Sequence, residues 1–235
     1  SAEDGRHEPF ISHVSDTQSR ETILNFQREV LKRREAMLPL LEKLCNEKQL
    51  TFRIPLNEVL DYCVLEYSFA FWQWGTPVST IPATSATDDE LFRHLAEISG
   101  PEYFAKDQPT QAFFIQAARE LGYYGYDTEP FKGLLSIQSS KGYLERIMLP
   151  EGVRISFRPE LYQKLTRFVA ESDPKLIFVY GEYDPWTSVG MTQLKGKKNM
   201  FAAVQPKGSH RARINSLPDS LRNKVIKRLT KWLEE

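Results

Sequence analysis

Two short apolar runs near the end of the chain constrain its fold more than any other feature. They cover residues 176–180 and 200–204, and the segment Glu160–Glu171 before them has a helical pattern. Short apolar runs that alternate with helical crossovers indicate parallel strands buried on both faces. Two such strands form an unstable sheet on their own, because both faces and both edges need cover. We therefore predict the last part of an α/β domain whose earlier strands were removed or lie in another chain.

The residues before these runs have the periodicity of helices, and residues 1–158 are predicted to be mainly α-helical. Apolar side chains in residues 19–50 recur near a 3.6-residue period, and Pro39 is expected to kink or break that run. A second helix is predicted from Leu56 to about Trp74. Three further helices are predicted, over residues 87–98, 110–121 and 218–233. Residues 216–219 have the pattern of a cap for the last one.

The charge balance excludes several classes of partner. Lys plus Arg and Asp plus Glu both number 31, so no excess charge attracts nucleic acid, an anionic membrane surface or an acidic substrate. The longest apolar stretch, residues 67–72, is far short of the roughly 20 residues that a membrane-spanning helix needs. We therefore expect a soluble chain that binds neither nucleic acid nor a membrane.

Cysteine usage excludes two further kinds of structure. Only Cys45 and Cys63 are present, which rules out a disulfide framework and a thiolate metal cage. The two cysteines flank the turn at residues 51–55, but a bond between them requires both side chains to point inward. We predict two buried free thiols, and nothing in the sequence calls for a metal or another cofactor.

Asp184 is the first candidate catalytic residue. It follows the first apolar run directly, after Gly181 and before Pro185. Functional side chains gather at the carboxyl ends of strands in doubly wound sheets. Considered alone, Asp184 is better explained as an Asp-Pro turn residue whose carboxylate caps the next helix.

His210 favours a catalytic role for Asp184, because it follows the second apolar run at the corresponding place. An Asp and then a His at the ends of consecutive strands is the order in which α/β-hydrolases present their acid and base. In such a pair the imidazole takes the proton of a nucleophile, and the carboxylate fixes its tautomer and stabilises the imidazolium. The other three histidines, His7, His13 and His94, lack this context.

Residues 181–186 and 208–214 together resemble the end of the secreted bacterial tripeptidyl aminopeptidases, which are serine peptidases related to prolyl carboxypeptidase and dipeptidyl peptidase. Three helical segments are similar to the lid of that family, namely residues 26–34, 66–75 and 116–124. The resemblance covers nearly the whole chain. It implies that Asp184 is the triad acid and His210 the base.

The same resemblance implies a fold and a location. Residues 1–158 would form a helical lid, and residues 159–235 the C-terminal part of an α/β-hydrolase core that is incomplete in this chain. The protein would be secreted or periplasmic.

The chain departs from that family in lacking a nucleophile. No Gly-x-Ser-x-Gly elbow occurs in the 235 residues, and Ser209 is a poor substitute because it neighbours His210 on the same loop. In the family, the nucleophile and the oxyanion hole lie upstream of the lid. We therefore expect an upstream segment of the same protein to carry the serine, and the chain alone to be inactive.

Several residues of the helical region are predicted to bind the peptide substrate. Aromatic and amide side chains there offer flat walls that suit a proline ring, although each is equally explained as lid core: Trp72, Gln73, Trp74, Gln116 and Tyr123. Glu66 lies on an apolar helix stretch. Its carboxylate would either hold the free amino group of a substrate or pair with a nearby arginine.

Three functional interpretations remain open at this point. The chain belongs to a serine exopeptidase that removes short peptides from an N-terminus by acyl-enzyme chemistry, to another α/β-hydrolase such as an esterase, or to a non-catalytic helical interaction module. A nucleophile elbow upstream would exclude the third. Hydrolysis of unblocked but not of N-terminally blocked peptides would separate the first from the second.

Overall fold

The computed structural model describes residue 14 and residues 16–106 and 108–235. The described part contains seven α-helices, one two-stranded sheet and several short 3-10 and π-helical segments. The helices are α1 (Thr17–Lys32), α2 (Arg34–Glu47), α3 (Leu56–Trp74), α4 (Asp88–Ser99), α5 (Gln111–Gln116), α6 (Glu160–Glu171) and α7 (Asp219–Glu234), and the strands are β1 (Leu176–Gly181) and β2 (Met200–Gln205). His7 and His13 lie outside the described residues. The predicted order of elements is confirmed, and a helix-dominated chain with a parallel sheet is compatible with the α/β class.

The predicted break of the first helical run at Pro39 is wrong. The helix is interrupted at Arg33, and Pro39 lies inside α2. The Arg33 guanidinium binds Glu29 at 2.7 Å and Asp88 at 3.0 Å. Glu29 lies in α1 itself, whereas Asp88 belongs to α4, so the side chain of the interrupting residue links two helices.

Helix α3 is the centre of the protein. Residues 59–72 are all buried, so this helix is covered on every side. It ends where predicted, because Gly75 adopts the left-handed conformation (φ 71°) that favours glycine. Helix α4 also begins as predicted, since the side chains of Thr87 and Glu90 form a reciprocal capping box. A single large hydrophobic cluster extends from residue 14 to residue 149 around α3.

The strands β1 and β2 pair in parallel, with Leu176 opposite Met200 and Gly181 opposite Gln205. Helix α7 covers one face of this sheet through Val225, which packs with Ala203. The cap predicted for α7 is wrong, because no side chain caps that helix. The hydroxyl of Ser216 instead donates to Oε1 of Gln205 at 2.6 Å.

Much of the apolar surface around the sheet remains open. The side chains of β1 are only partly buried over residues 176–180. Helix α6 has no buried residue, and Tyr162, Leu165 and Phe168 on it are each about half exposed. An amphipathic helix normally buries such a stripe. The sheet and α6 thus leave apolar side chains uncovered within the described residues.

Two other predictions concern single features. Cys45 and Cys63 are buried free thiols, as predicted. Within the described ranges, no helix combines the length and the apolar character that crossing a bilayer requires.

Candidate active site

Asp184 and His210 lie side by side beyond the carboxyl ends of the two strands. Nδ1 of His210 is 2.7 Å from Oδ2 of Asp184. Because an ionised carboxylate only accepts hydrogen bonds, Nδ1 carries the proton and donates it. That arrangement leaves Nε2 of His210 as the nitrogen that can accept a proton from another group.

Asp184 both caps the following turn and binds His210. Its Oδ1 accepts a hydrogen bond of 3.1 Å from the backbone N–H of Trp186, which caps the 3-10 turn Pro185–Val189. Its Oδ2 binds His210. The Asp184 side chain is nearly fully buried, whereas that of His210 is 45% exposed. The capping bond therefore fixes the carboxylate, and the carboxylate in turn orients an accessible imidazole.

Close backbone packing brings the two loops together. The N–H of Tyr183 donates to the carbonyl of Gly208 at 2.8 Å. A Cβ added at Gly181 would lie 2.3 Å from the carbonyl oxygen of Ser209, so no other residue fits there without moving that loop. The glycine at the end of β1 thus allows the two loops to approach closely enough for the Asp184–His210 contact.

The hydrogen bond from His210 to Asp184 raises the pKa of His210 above its usual value, and the negative charge of Asp184 adds to this effect. Partial burial and the charge of Arg213 act in the opposite direction. A base with a raised pKa accepts a proton more readily. The pair thus has the geometry and the basicity of a general base oriented by a carboxylate.

The end of α3 supports His210 directly. The backbone N–H of His210 donates to the carbonyl of Gln73 at 2.9 Å. The Trp74 ring stands edge-on to the imidazole with the ring centroids 6.0 Å apart. Two of the predicted substrate-binding residues, Gln73 and Trp74, are therefore next to the candidate base.

Glu66 is a buried carboxyl held by tyrosines. The hydroxyl of Tyr124 donates to both of its oxygens at 2.9 Å, and the hydroxyl of Tyr126 donates to Oε2 at 2.7 Å. Within the described part of the chain no lysine or arginine forms an ion pair with Glu66. The arginine partner that the sequence analysis considered is therefore absent there, and the two tyrosine hydroxyls bind the carboxyl instead. Burial raises the pKa of Glu66 to about 7, against the effect of both hydrogen bonds.

A cavity of about 530 Å³ opens in front of this carboxyl and extends to the end of α3. Its α3 wall consists of Glu66, Ala70, Gln73 and Trp74. The hydroxyls of Tyr103 and Tyr123 on another wall are 2.7 Å apart. The cavity therefore connects the buried Glu66 carboxyl with the neighbourhood of His210.

A second cavity of about 810 Å³ lies on the other side of Trp74 and shares Glu97 and Ile98 with the first. Arg211 lines it, and its guanidinium carbon is 6.0 Å from the Trp74 ring. His94 also lines it, with Nε2 2.8 Å from the Tyr67 hydroxyl. Trp74 thus separates two cavities close to His210.

The remaining predicted substrate-binding residues have different surroundings. Tyr123 is buried and lines the first cavity. Trp72 is buried against Tyr183, and its indole N–H has no hydrogen-bond partner among the residues that the structure describes. Gln116 is exposed at the end of α5 and lines neither cavity. The sequence did not single out Tyr126 or Ala70, and no local signal marks either residue.

A sequence profile of the family described as PS-10 peptidase S37 matches residues 1–234 of the chain. The chain belongs to this peptidase family. A member of the curated proteins, the prolyl tri/tetrapeptidyl aminopeptidase of Streptomyces mobaraensis, is 28% identical over 242 residues. That alignment covers 98% of this chain and 50% of the relative. The predicted resemblance to tripeptidyl aminopeptidases is confirmed.

The chain spans about half the length of the curated relative that it matches. No solved structure gives a significant match to it. The family and the relative indicate a peptidase.

Proposed function

We propose that this chain supplies the acid and the base of a serine peptidase that removes short peptides from the N-terminus of its substrate. The observation that carries the proposal is the 2.7 Å contact between Nδ1 of His210 and Asp184 at the ends of two parallel strands. In this proposal residues 1–158 are the lid and residues 159–235 belong to an α/β-hydrolase core. The runner-up functions are an esterase with the same pair and a binding module without catalysis.

The nucleophile in this proposal is a serine on an upstream segment of the same protein. Two exposed surfaces support this upstream segment: the apolar side chains of Leu165 and Phe168 on α6, and the partly exposed strand β1. A parallel sheet needs further strands, and its faces need cover. The half-length match to the relative is consistent with it. We also propose a secreted or periplasmic location, which rests only on the resemblance of residues 181–186 and 208–214 to the secreted bacterial tripeptidyl aminopeptidases.

The proposed reaction proceeds in two steps. The serine Oγ attacks the carbonyl carbon of the scissile peptide bond while Nε2 of His210 takes its proton. The C–N bond then breaks, the leaving amine receives that proton, and an acyl-enzyme remains. A water molecule, deprotonated by His210, releases the N-terminal peptide and restores the serine.

Glu66 is proposed to bind the ammonium group of the substrate. It is a buried carboxyl that lines a cavity next to His210, and its two tyrosine hydrogen bonds leave further acceptor positions on the carboxylate. A hydrogen bond between an ammonium group and a carboxylate is charge-assisted and therefore strong. Gln73, Trp74 and Tyr123 supply walls of the same cavity, against which a proline ring would pack.

A fluorophosphonate probe tests the proposal in the full-length protein. We expect the probe to label one serine outside residues 1–235, and the label to be lost in His210→Ala. Lys227→Ala, an exposed change on α7, is the matched control that keeps the label. An unlabelled wild-type protein would refute the catalytic role and favour a binding module.

Peptide substrates separate the peptidase from the esterase. Peptides with a free amino group should be hydrolysed at least tenfold faster, in kcat/KM, than their N-acetylated counterparts, since a hydrogen bond to a charged group is worth roughly one to two powers of ten. Hydrolysis of simple esters together with no hydrolysis of either peptide would favour the esterase.

A further inference from the structure

Arg211 is the only arginine or lysine among the described residues that line the second cavity. Its guanidinium carbon lies 6.0 Å from the centre of the Trp74 ring, which is the range of a cation–π contact. Within the described part of the chain no carboxylate forms an ion pair with it. Arg213 differs, because its guanidinium donates to the carbonyls of His210 and residue 212 at 3.0 and 2.7 Å. The N–H groups of Arg211 therefore remain available to an external anion.

The backbone holds Arg211 directly beside the candidate base. The N–H of Arg211 donates to Oγ of Ser209 at 3.3 Å, and the N–H of His210 donates to the Gln73 carbonyl at 2.9 Å. The Trp74 ring contacts both side chains, since it also stands 6.0 Å from the imidazole. One indole thus lies against the base and against the arginine, and an anion bound to Arg211 would lie close to the site of the reaction.

The two cavities on either side of Trp74 differ in charge. The charged residues that line the first are Lys48, Glu66, Glu97 and Glu102, and Lys48 forms an ion pair with Glu102. The first cavity therefore has an excess of acidic groups. Glu97 also lines the second cavity, but it forms no ion pair with Arg211. The second cavity is thus the one that offers a cation to a negatively charged group.

We propose that the second cavity receives the part of the substrate that follows the cut, and that Arg211 binds a carboxylate on it. This carboxylate is either the C-terminal one or that of an acidic side chain. The proton from Nε2 of His210 goes to the leaving amine, so the leaving segment begins at His210, beside Arg211. An arginine suits this role because its planar guanidinium pairs with a carboxylate through two hydrogen bonds. The inference rests on the proposed function and adds to it a specificity for the leaving segment.

The first test varies only the leaving segment of a peptide substrate. The segments have one to three residues and end in a free carboxylate or a carboxamide, and the carboxamide series also contains Asp or Asn. For the full-length protein we expect a carboxylate to raise kcat/KM by roughly fivefold at one or more of these positions, the upper end of what an exposed ion pair contributes. A gain from the free terminus identifies the C-terminal carboxylate, and a gain from Asp alone identifies a side chain.

The same experiment separates this inference from the proposed function. Equal kcat/KM values for every carboxylate and its uncharged counterpart would overturn the role of Arg211 and leave the peptidase intact. No hydrolysis of any peptide would overturn both.

Three variants of the exposed Arg211 test which residue is responsible. Arg211→Ala should remove the difference between carboxylate and uncharged substrates, and Arg211→Lys should retain part of it because the charge remains. Arg211→Glu should reverse it, so that a leaving segment with Lys is preferred to one with Asp. Arg154→Ala is the matched control, since its side chain is 91% exposed and lines neither cavity, and it should keep the wild-type preference. A preference of wild-type size in Arg211→Ala would refute the inference.

Discussion

Replacement of Glu66 by glutamine should change how the stability of the protein depends on pH. The pKa of Glu66 is raised from 4.5 to about 7 by burial. Between these two values the folded state holds a proton that the unfolded state has already lost, so stability decreases as pH rises. The contribution is fully present below about pH 4.5 and is lost once the pH has passed 7.

The size of this effect follows from the shift. A difference of about 2.5 pH units, at about 1.4 kcal/mol per unit, corresponds to ~3 kcal/mol of unfolding free energy. Glutamine has nearly the same shape and no charge, so this loss is absent in Glu66→Gln. The hydroxyls of Tyr124 and Tyr126 that face Glu66 have pKa values raised by burial, so they do not titrate in this range.

Urea unfolding of wild type and Glu66→Gln in the same buffers from pH 4.5 to 8 measures the difference. We expect the stability of the wild type relative to the variant to fall by ~3 kcal/mol across this range. Gln138→Asn, an exposed change that removes no titrating group, is the control and should give a flat difference. A flat difference for Glu66→Gln as well would show that its carboxyl ionises as it does in water, which refutes the buried environment described for it.

Two further predictions concern the Asp184–His210 pair. Asp184→Asn removes the hydrogen-bonded carboxylate that raises the pKa of His210, so the NMR titration midpoint of His210 should move to lower pH, and an unchanged midpoint would contradict the contact. Gly181→Ala places a Cβ against the Ser209 carbonyl, so we expect a loss of roughly 1–3 kcal/mol in unfolding free energy and a displaced His210 loop. Chemical denaturation measures the first effect, and reduced probe labelling reports the second. A variant as stable and as well labelled as wild type would show that the loops do not pack this closely.

The predictions that the structure confirms depend on local signals. Gly75 marks the end of α3, and residues Thr87–Glu90 mark the start of α4. Both could be predicted because each signal lies within a few residues of the helix end that it sets. The candidate pair was found in the same way, since strand ends bring functional side chains together in parallel sheets. These features depend only on neighbouring residues and on a general rule of sheet geometry.

Two predictions from local signals failed. The helix is interrupted at Arg33 rather than at Pro39, and the Arg33 guanidinium pairs both with Glu29 in the same helix and with Asp88, 55 positions away. No side chain caps α7, and the Ser216 hydroxyl bonds both to Gln205 and to the nearby Arg213 carbonyl. Local propensity is a weak guide where tertiary context overrides it.

The order of helices and strands, and the positions of Asp184 and His210 after the two strands, could be predicted from the sequence. The surroundings of Glu66 could not, since Tyr124 and Tyr126 reach it from 58 and 60 residues away. The physical reason is that periodicity and caps are encoded within one turn of helix, whereas a buried charge and a cavity are created by the packing of segments that are far apart in the chain.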